Sequence, residues 1–342
     1  MIVSWPRLGP DGRIGKGNSG TDVIIGFLMK RRFIGTAFLL ALSAAAAASF
    51  AQTQQNKTED IRVDVTVTAI TIAVTVQDRG GRYVNDLTQK DFTIYENNEK
   101  RTLTYFKHDF DAPLSLTVLL DVSGSMAVLN KLDEAKVGLR NLITNLLSPR
   151  DEVSLLIFAD GQVEVAAPFS TDKTEFLRVL EKTQAYGQTA LNDAVAVSPE
   201  FANRGHNEKR ALLLITDGVE NDSRVSPEEA LDIARRVDVP IYTIGYKIPL
   251  SEQLLKTLRR GKGVTSAGIV ETLERFSRAT GGKAFFVNQP EEMAAVLREL
   301  KKEQSHQYII GYTSYKDASG VYRKIRVETT NKRHRVRTRE GY

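Results

Sequence analysis

The sequence predicts an α/β protein: a doubly wound, mostly parallel sheet, with a smaller discontinuous all-β domain at its flanks. Three observations predict it. Short, continuous apolar runs recur at 116–120, 153–158, 212–215, 241–244 and 284–287. Between them lie segments of helical period at 129–147, 172–183, 191–203, 227–237, 252–260 and 269–280. On either side of this alternation the helical period disappears and short strand patterns take over. Strands alternating with helices indicate parallel pairing through crossovers. Strands that are apolar along their whole length indicate helices on both faces of the sheet.

The amino end carries a targeting pattern. Met29-Lys30-Arg31-Arg32 is a basic head, followed by an apolar run over 33–50, with Ser49 and Ala51 at the spacing a signal peptidase requires. This is the pattern of a secretory signal peptide over 29–51, cleaved before Gln52. It places translation start at Met29, makes 1–28 a mis-assigned start, and sends the protein to the periplasm or outside the cell. The alternative is an uncleaved anchor, since the run nearly reaches the length of a membrane span. Its alanine-rich second half is only weakly hydrophobic, which favours cleavage. Of the whole-chain net charge of +5, the first 51 residues supply +4 through six Lys or Arg and two Asp. The remainder is near neutral, so charge gives no reason to expect a nucleic-acid partner. The absence of cysteine excludes disulfides, thiolate catalysis and zinc–thiolate sites.

Residues 52–59 are polar and read as a leader. Alternation over 62–76 (Val63, Val65, Val67) predicts a strand, Asp78-Arg79-Gly80-Gly81 a turn, 92–95 a strand, 96–98 a turn and 102–106 a further strand. About 50 residues of strands bury too little apolar surface to stand alone. The unit at 60–112 therefore needs partner strands, and 305–342 offers them at 306–313, 322–328 and 333–338. The two segments are expected to form one β domain around an α/β domain at 113–304. Alternation over 162–169 predicts an antiparallel hairpin at a sheet edge. Ser226-Pro227-Glu228-Glu229 is a helix start with a capping serine and Pro at the first position, and a last helix is expected at 291–303. From Lys316 to Tyr342 there are nine Lys or Arg against three acids. These are the solvated faces of exposed strands, or else a surface for an anionic polymer.

The chemistry sits where the first apolar strand ends, in Asp121-Val122-Ser123-Gly124-Ser125-Met126. Open α/β sheets bind ligands outside the carboxyl ends of their strands. Small oxygen side chains at i, i+2 and i+4 on a tight turn can converge on one point. Such oxygens suit a hard cation such as Mg²⁺, which takes octahedral oxygen coordination at roughly 2.0–2.1 Å and keeps several waters. Tyr186-Gly187-Gln188-Thr189 places a threonine before another helix, and Leu214-Ile215-Thr216-Asp217-Gly218 ends a buried strand in Asp and Gly.

In this order and on these elements, the three segments resemble the metal-ion-dependent adhesion site of von Willebrand factor A domains. The resemblance covers 114–304 and implies the Rossmann-like fold of that family. It also implies that Ser123, Ser125 and Thr189 give hydroxyl oxygens to the metal, and that Asp121 and Asp217 bind it directly or through water. The ion implied is Mg²⁺, with Mn²⁺ and Ca²⁺ as alternatives, and one coordination position is left for an Asp or Glu of a protein partner. The flanks are similar to a bacterial secreted subfamily, through Asp78, Asp91-Phe92, Tyr95-Glu96 and Phe106 at one end. At the other end the likeness lies in Tyr308, Gly311-Tyr312, Arg323-Lys324 and Gly341-Tyr342.

Other motifs carry less. Gly261-Lys262-Gly263 with Thr265 lacks the Gly-Lys-Ser/Thr run and the preceding strand of a phosphate loop. Ser123 and Ser125 are not in a Gly-x-Ser-x-Gly elbow, and His206 and His334 lie in polar stretches that suggest no triad. Glu220 and Asp222 read as solvated loop charges. The function expected is a non-enzymatic, metal-dependent protein-binding module. A metal-dependent hydrolase and an envelope protein whose metal only stabilises the fold are the alternatives. The site is expected at the surface, so that Asp121→Ala would leave the core untouched.

Overall fold

The structure, a computed structural model, describes residues 66–109, 111–248, 266–316 and 321–342. The expected start at Met29, the signal peptide, the polar leader, the helix at 252–260 and the Gly261-Lys262-Gly263 loop lie outside the described residues.

The parallel sheet is built from β5 (Leu114–Asp121), β6 (Glu152–Ala159), β7 (Gln162–Ser170), β8 (Lys209–Thr216), β9 (Ile241–Tyr246) and β10 (Ala284–Val287). Their order is β10-β9-β8-β5-β6-β7, all parallel except the β6–β7 hairpin at the edge. That edge is where the alternating pattern put it: a strand with one open face alternates, whereas β5 is buried at all eight positions.

Two helical layers cover the sheet. Leu116, Val118 and Leu120 pack with residues of α1 (Lys131–Asn141), α2 (Thr174–Lys182) and α6 (Pro290–Ser305). Leu119, Leu212 and Leu214 face α3 (Leu191–Ala202), α4 (Pro227–Ala234) and α5 (Ser266–Thr280). Each fully buried Leu, Ile or Val on these strands contributes roughly 1.5–3 kcal/mol relative to exposure. The start of α4 follows from its sequence: the Ser226 hydroxyl accepts from Glu229 N, and Glu229 accepts from Ser226 N at 2.8 Å.

The flanking strands are β1 (Thr66–Gln77), β2 (Phe92–Glu96), β3 (Glu99–Arg101), β4 (Leu103–His108), β11 (Tyr308–Lys316), β12 (Ile325–Thr329) and β13 (Arg335–Arg337). They form sheets in the orders β13-β1-β11-β4 and β12-β2-β3. Strands from the beginning of the chain thus pair with strands from its end, β1 with β11 from Val74↔Tyr308 to Thr66↔Lys316. Ile72, Val74, Ile94, Tyr308 and Val327 share one apolar core between the two sheets. The structure adds β3, which the sequence pattern does not suggest. Asn97 and Asn98, both at positive φ, form the tight two-residue turn that brings β3 back onto β2.

This β layer meets the α/β sheet at the end where the parallel strands begin. Lys209, the first residue of β8, donates to the Asp109 carbonyl, Tyr105 to Glu208, and Arg339 pairs with Asp238 ahead of β9. The carboxyl ends of β5 and β8 lie at the opposite pole. Chain leaving β5 crosses to β6 on one side, whereas chain leaving β8 crosses to β9 on the other. Between these two strand ends the connections diverge and leave a crevice.

Candidate metal centre

Asp121 is the last residue of β5, and its carboxylate sits between neighbouring strand ends. One oxygen accepts from Ser123 N at 2.9 Å, the other from the Thr216 hydroxyl at 2.6 Å. The chain then enters a 3-10 turn that starts at Gly124 and gives way to non-helical backbone at Val128 and Leu129, and at its start the Ser123 and Ser125 hydroxyls lie 3.1 Å apart. Asp217 follows β8 directly. Its carboxylate accepts from Val219 N at 3.1 Å and from the Lys131 ammonium at 2.7 Å. The turn after it needs glycine: Gly218 has φ +72°, and a Cβ there would lie 2.1 Å from Ile269 Cγ2.

Thr189 arrives on the loop ahead of α3, held through its backbone. Its N–H donates to Asn221 Oδ1 at 2.8 Å, and its carbonyl accepts from Asn221 N and Asp222 N at 3.1 and 3.0 Å. The same loop is sewn to the Asp121 turn by Tyr186 N to Val122 O (2.8 Å) and Gly124 N to Gly187 O (3.0 Å). On its other side Asp160 accepts from Gln188 N at 2.6 Å. Gly187, at φ +68°, passes so close to Asp160 that a Cβ would lie 2.3 Å from its carboxylate. The three segments picked out in the sequence therefore meet at one place, at the carboxyl end of the sheet.

The setting differs from the surface site expected. Asp121, Ser123 and Asp217 are 0% exposed and Thr189 1%, with Ser125 half-buried beneath exposed Gly124, Gly187 and Gln188. The strand ends lie one layer below the loops that cover them. A substitution at Asp121 therefore acts on the core as well as on the site.

Burial dominates the electrostatics. It pushes the Asp121 carboxyl up, the nearby Asp217 carboxylate adds to this, and the hydrogen bonds from Ser123 and Thr216 only partly oppose it, leaving a pKa of about 7. Two buried carboxylates thus face one buried ammonium. The remaining donors are neutral hydroxyls, and all are hard oxygens, a set that fits a divalent cation such as Mg²⁺. Among the described residues no three His, Cys, Asp or Glu side chains converge as a metal site, so a cation here depends on the hydroxyls.

Three participants were not evident in the sequence. Thr216 anchors Asp121 across strands, and Asn221 positions Thr189. Lys131 neutralises Asp217 and lies 3.4 Å from the Ser125 carbonyl. The helical period, which runs on from Leu129, hid the signal Lys131 would have given, that of a lysine opposing the helix dipole at the first position of α1. Glu220 is not a solvated charge: it accepts from Asn192 N, Asp222 N, Ser223 N and the Ser223 hydroxyl, at 3.1, 3.0, 2.9 and 2.6 Å. It braces the loop behind Asp217 against the start of α3, and Asp222 is half-buried beside it.

Residues 116–220 match the family model of the von Willebrand factor type A domain. A Borreliella burgdorferi protein described as uncharacterized is 23% identical over 208 residues, covering 57% of this chain and 60% of its own length. The magnesium-chelatase 67 kDa subunit of Chlorobaculum parvum is 33% identical over 103 residues, which are 29% of this chain and 16% of the subunit. The chain thus spans less than two thirds of either relative. Among solved structures, BatB from Bacteroides thetaiotaomicron is similar at 19% identity and TM-score 0.44, covering 56% of this chain and 98% of that one. The vWF domain of the type V pili tip protein Mfa5 from Porphyromonas gingivalis is similar at 10% identity and TM-score 0.44, covering 56% and 94%.

Proposed function

Starting from a chain that carries a von Willebrand factor type A domain over residues 116–220, we propose that it is a non-enzymatic module that binds a protein partner through a divalent cation. The residues that would hold the ion are Asp121, Ser123, Ser125, Thr189 and Asp217. Mg²⁺ is the first choice, with Mn²⁺ and Ca²⁺ next. One observation carries this reading: two buried carboxylates and a pair of serine hydroxyls 3.1 Å apart meet at the switch point of the sheet, with a single ammonium to offset them. A bound cation would supply an electrophilic position that an acidic side chain of the partner completes.

The chain's own residues set that position up. Thr216 and the Ser123 amide orient Asp121, and the Asn221 side chain together with the bonds to the Thr189 carbonyl fixes the threonine. The hydrolase alternative asks for a general base. Asp217 is engaged by Lys131, and Glu220 by four donors. The structural alternative is met by the experiment itself. Secretion to the periplasm or beyond rests on the 29–51 pattern, and membrane attachment on that segment remaining uncleaved. No helix among the described residues is long and apolar enough to cross a membrane.

The test is capture of a partner by the full chain with and without chelator, followed by affinity measurement with Thr189→Ala. Chelator, which removes the charge that pairs with the partner's acid, is expected to cost on the order of 2–5 kcal/mol, and Thr189→Ala, which removes one neutral donor, should weaken binding in the same direction by less. A partner whose affinity survives both binds elsewhere, and an ion that then only raises the melting temperature is structural.

A further inference from the structure

We propose that Lys131 is a resident counter-cation of this site: its ammonium balances the buried Asp217 while no divalent ion is bound, and must give up Asp217 when one binds. The proposal rests on the metal-binding reading above. It makes Lys131 the residue that sets how tightly the site holds its ion and lets the fold persist without one.

The placement of Lys131 breaks three local preferences at once. It is 1% exposed, although an ammonium is costly to bury without a partner. It is the first residue of α1, where the helix dipole favours acids, and Asp133 and Glu134 follow it in the same turn. The chain reaches it through Leu129 and Asn130, both left-handed at φ 58° and 55°, a conformation disfavoured for leucine. Burial of its own side chain does not repay the backbone of Leu129, which is 65% exposed. Several unfavourable choices maintained together point to a demand elsewhere. The demand visible is charge: the ammonium lies 2.7 Å from Asp217 Oδ2, while Asp121 is held by the neutral donors of Ser123 and Thr216.

The consequence for the ion follows from Coulomb's law. A dication bound by Asp217 would sit within a few ångströms of the ammonium, so part of its attraction to the two carboxylates is spent against a like charge. An ion pair that merely tied α1 to β8 would behave differently. Removing it would loosen the site and lower metal affinity, or leave it unchanged. Removing a competing cation raises it.

The experiment is titration calorimetry of Mg²⁺ into the chelator-stripped full chain, for the native protein and Lys131→Met, with thermal unfolding of both in chelator and in Mg²⁺. Lys131→Met is expected to bind Mg²⁺ at least roughly tenfold more tightly. It should also melt below the native protein in chelator, with the gap closing at saturating Mg²⁺. A folded variant with equal or weaker affinity overturns the role of Lys131 and leaves the metal reading standing. Absence of Mg²⁺ uptake by both proteins overturns the metal reading and this inference with it. Should Lys131→Met fail to fold, amine acetylation of the native protein read by mass spectrometry decides. Lys131 should be protected in chelator and modified in saturating Mg²⁺, and protection in both overturns the proposal.

Discussion

Two buried carboxylates, at opposite poles of the molecule, are treated in opposite ways. Glu96 on β2 is 0% exposed, as is Asp121 on β5. Around Glu96 the protein places Arg101 at 3.0 Å and Arg323 at 3.7 Å, with hydroxyls of Ser314 at 2.6 Å, Tyr312 at 3.4 Å and Tyr342. Burial raises its carboxyl, but those hydroxyls and the two guanidinium charges outweigh it, and the group ends below the ordinary glutamate range. Around Asp121 the balance is reversed, with one lysine for two acids, and the carboxyl is pushed up to about 7. The Glu96 cluster ties β2, β3, β11 and the chain end at Tyr342 together. A carboxylate whose partners saturate it is fastening a fold. One whose partners fall short leaves room for another cation.

The largest effect should come from breaking the saturated cluster. Glu96→Ala takes away the buried acceptor shared by Arg101, Arg323 and the hydroxyls of Ser314, Tyr312 and Tyr342, and losing one member of a buried ion pair costs about 3–5 kcal/mol. Urea denaturation should show that loss, while calorimetric Mg²⁺ affinity stays unchanged. A parallel loss of metal binding would mean that the two poles are coupled.

Next comes the ion itself. At a hundred times its dissociation constant, Mg²⁺ should stabilise the native chain by about 2.7 kcal/mol over chelator. Asp121→Asn should abolish that gain, and a melting-temperature rise that persists in this variant would exclude Asp121 as a ligand.

In chelator the same Asp121→Asn substitution should cost less than Glu96→Ala, about 1–2 kcal/mol: it removes a repelling buried charge, but its amide nitrogen replaces one of the two oxygens that accept from Ser123 N and the Thr216 hydroxyl. A loss as large as that of Glu96→Ala would place Asp121 among the fastening groups and erase the contrast.

The smallest effect involves His108, whose ring stacks on Tyr308 at 3.9 Å between centroids. Burial, aided by the Lys209 charge, holds its pKa below the usual imidazole value. The unfolded chain then takes up this proton first as pH falls, so the stability His108 contributes is complete above about pH 6.5 and declines below it. Denaturation midpoints at pH 7.5 and 5.5 should differ more in the native protein than in His108→Phe. Equal differences would show that burial does not disfavour the charged form of His108.

How much was legible in the sequence depends on how far apart the partners lie along it. The runs that became β5, β8 and β9, the alternation of β7 and the Ser226 capping box are local patterns, and their elements follow from period and neighbouring residues alone. The three candidate site segments were legible for the same reason: each is a short turn at a strand end or a helix start. The start of α1 was not. Periodicity runs on from Leu129, but the helix begins at Lys131, after two left-handed residues that no local pattern announces. Lys131 and Asp217 are 86 residues apart, and Thr216 and Asp121 are 95 apart. A lone lysine or a strand-end threonine reads as solvated or β-forming in its own window, whatever it meets in space. Sequence determined the layers and the order of the oxygen donors. Only the packed sheet, by bringing the ends of β5 and β8 side by side, decided which charges are buried there and which of them lack a full set of partners.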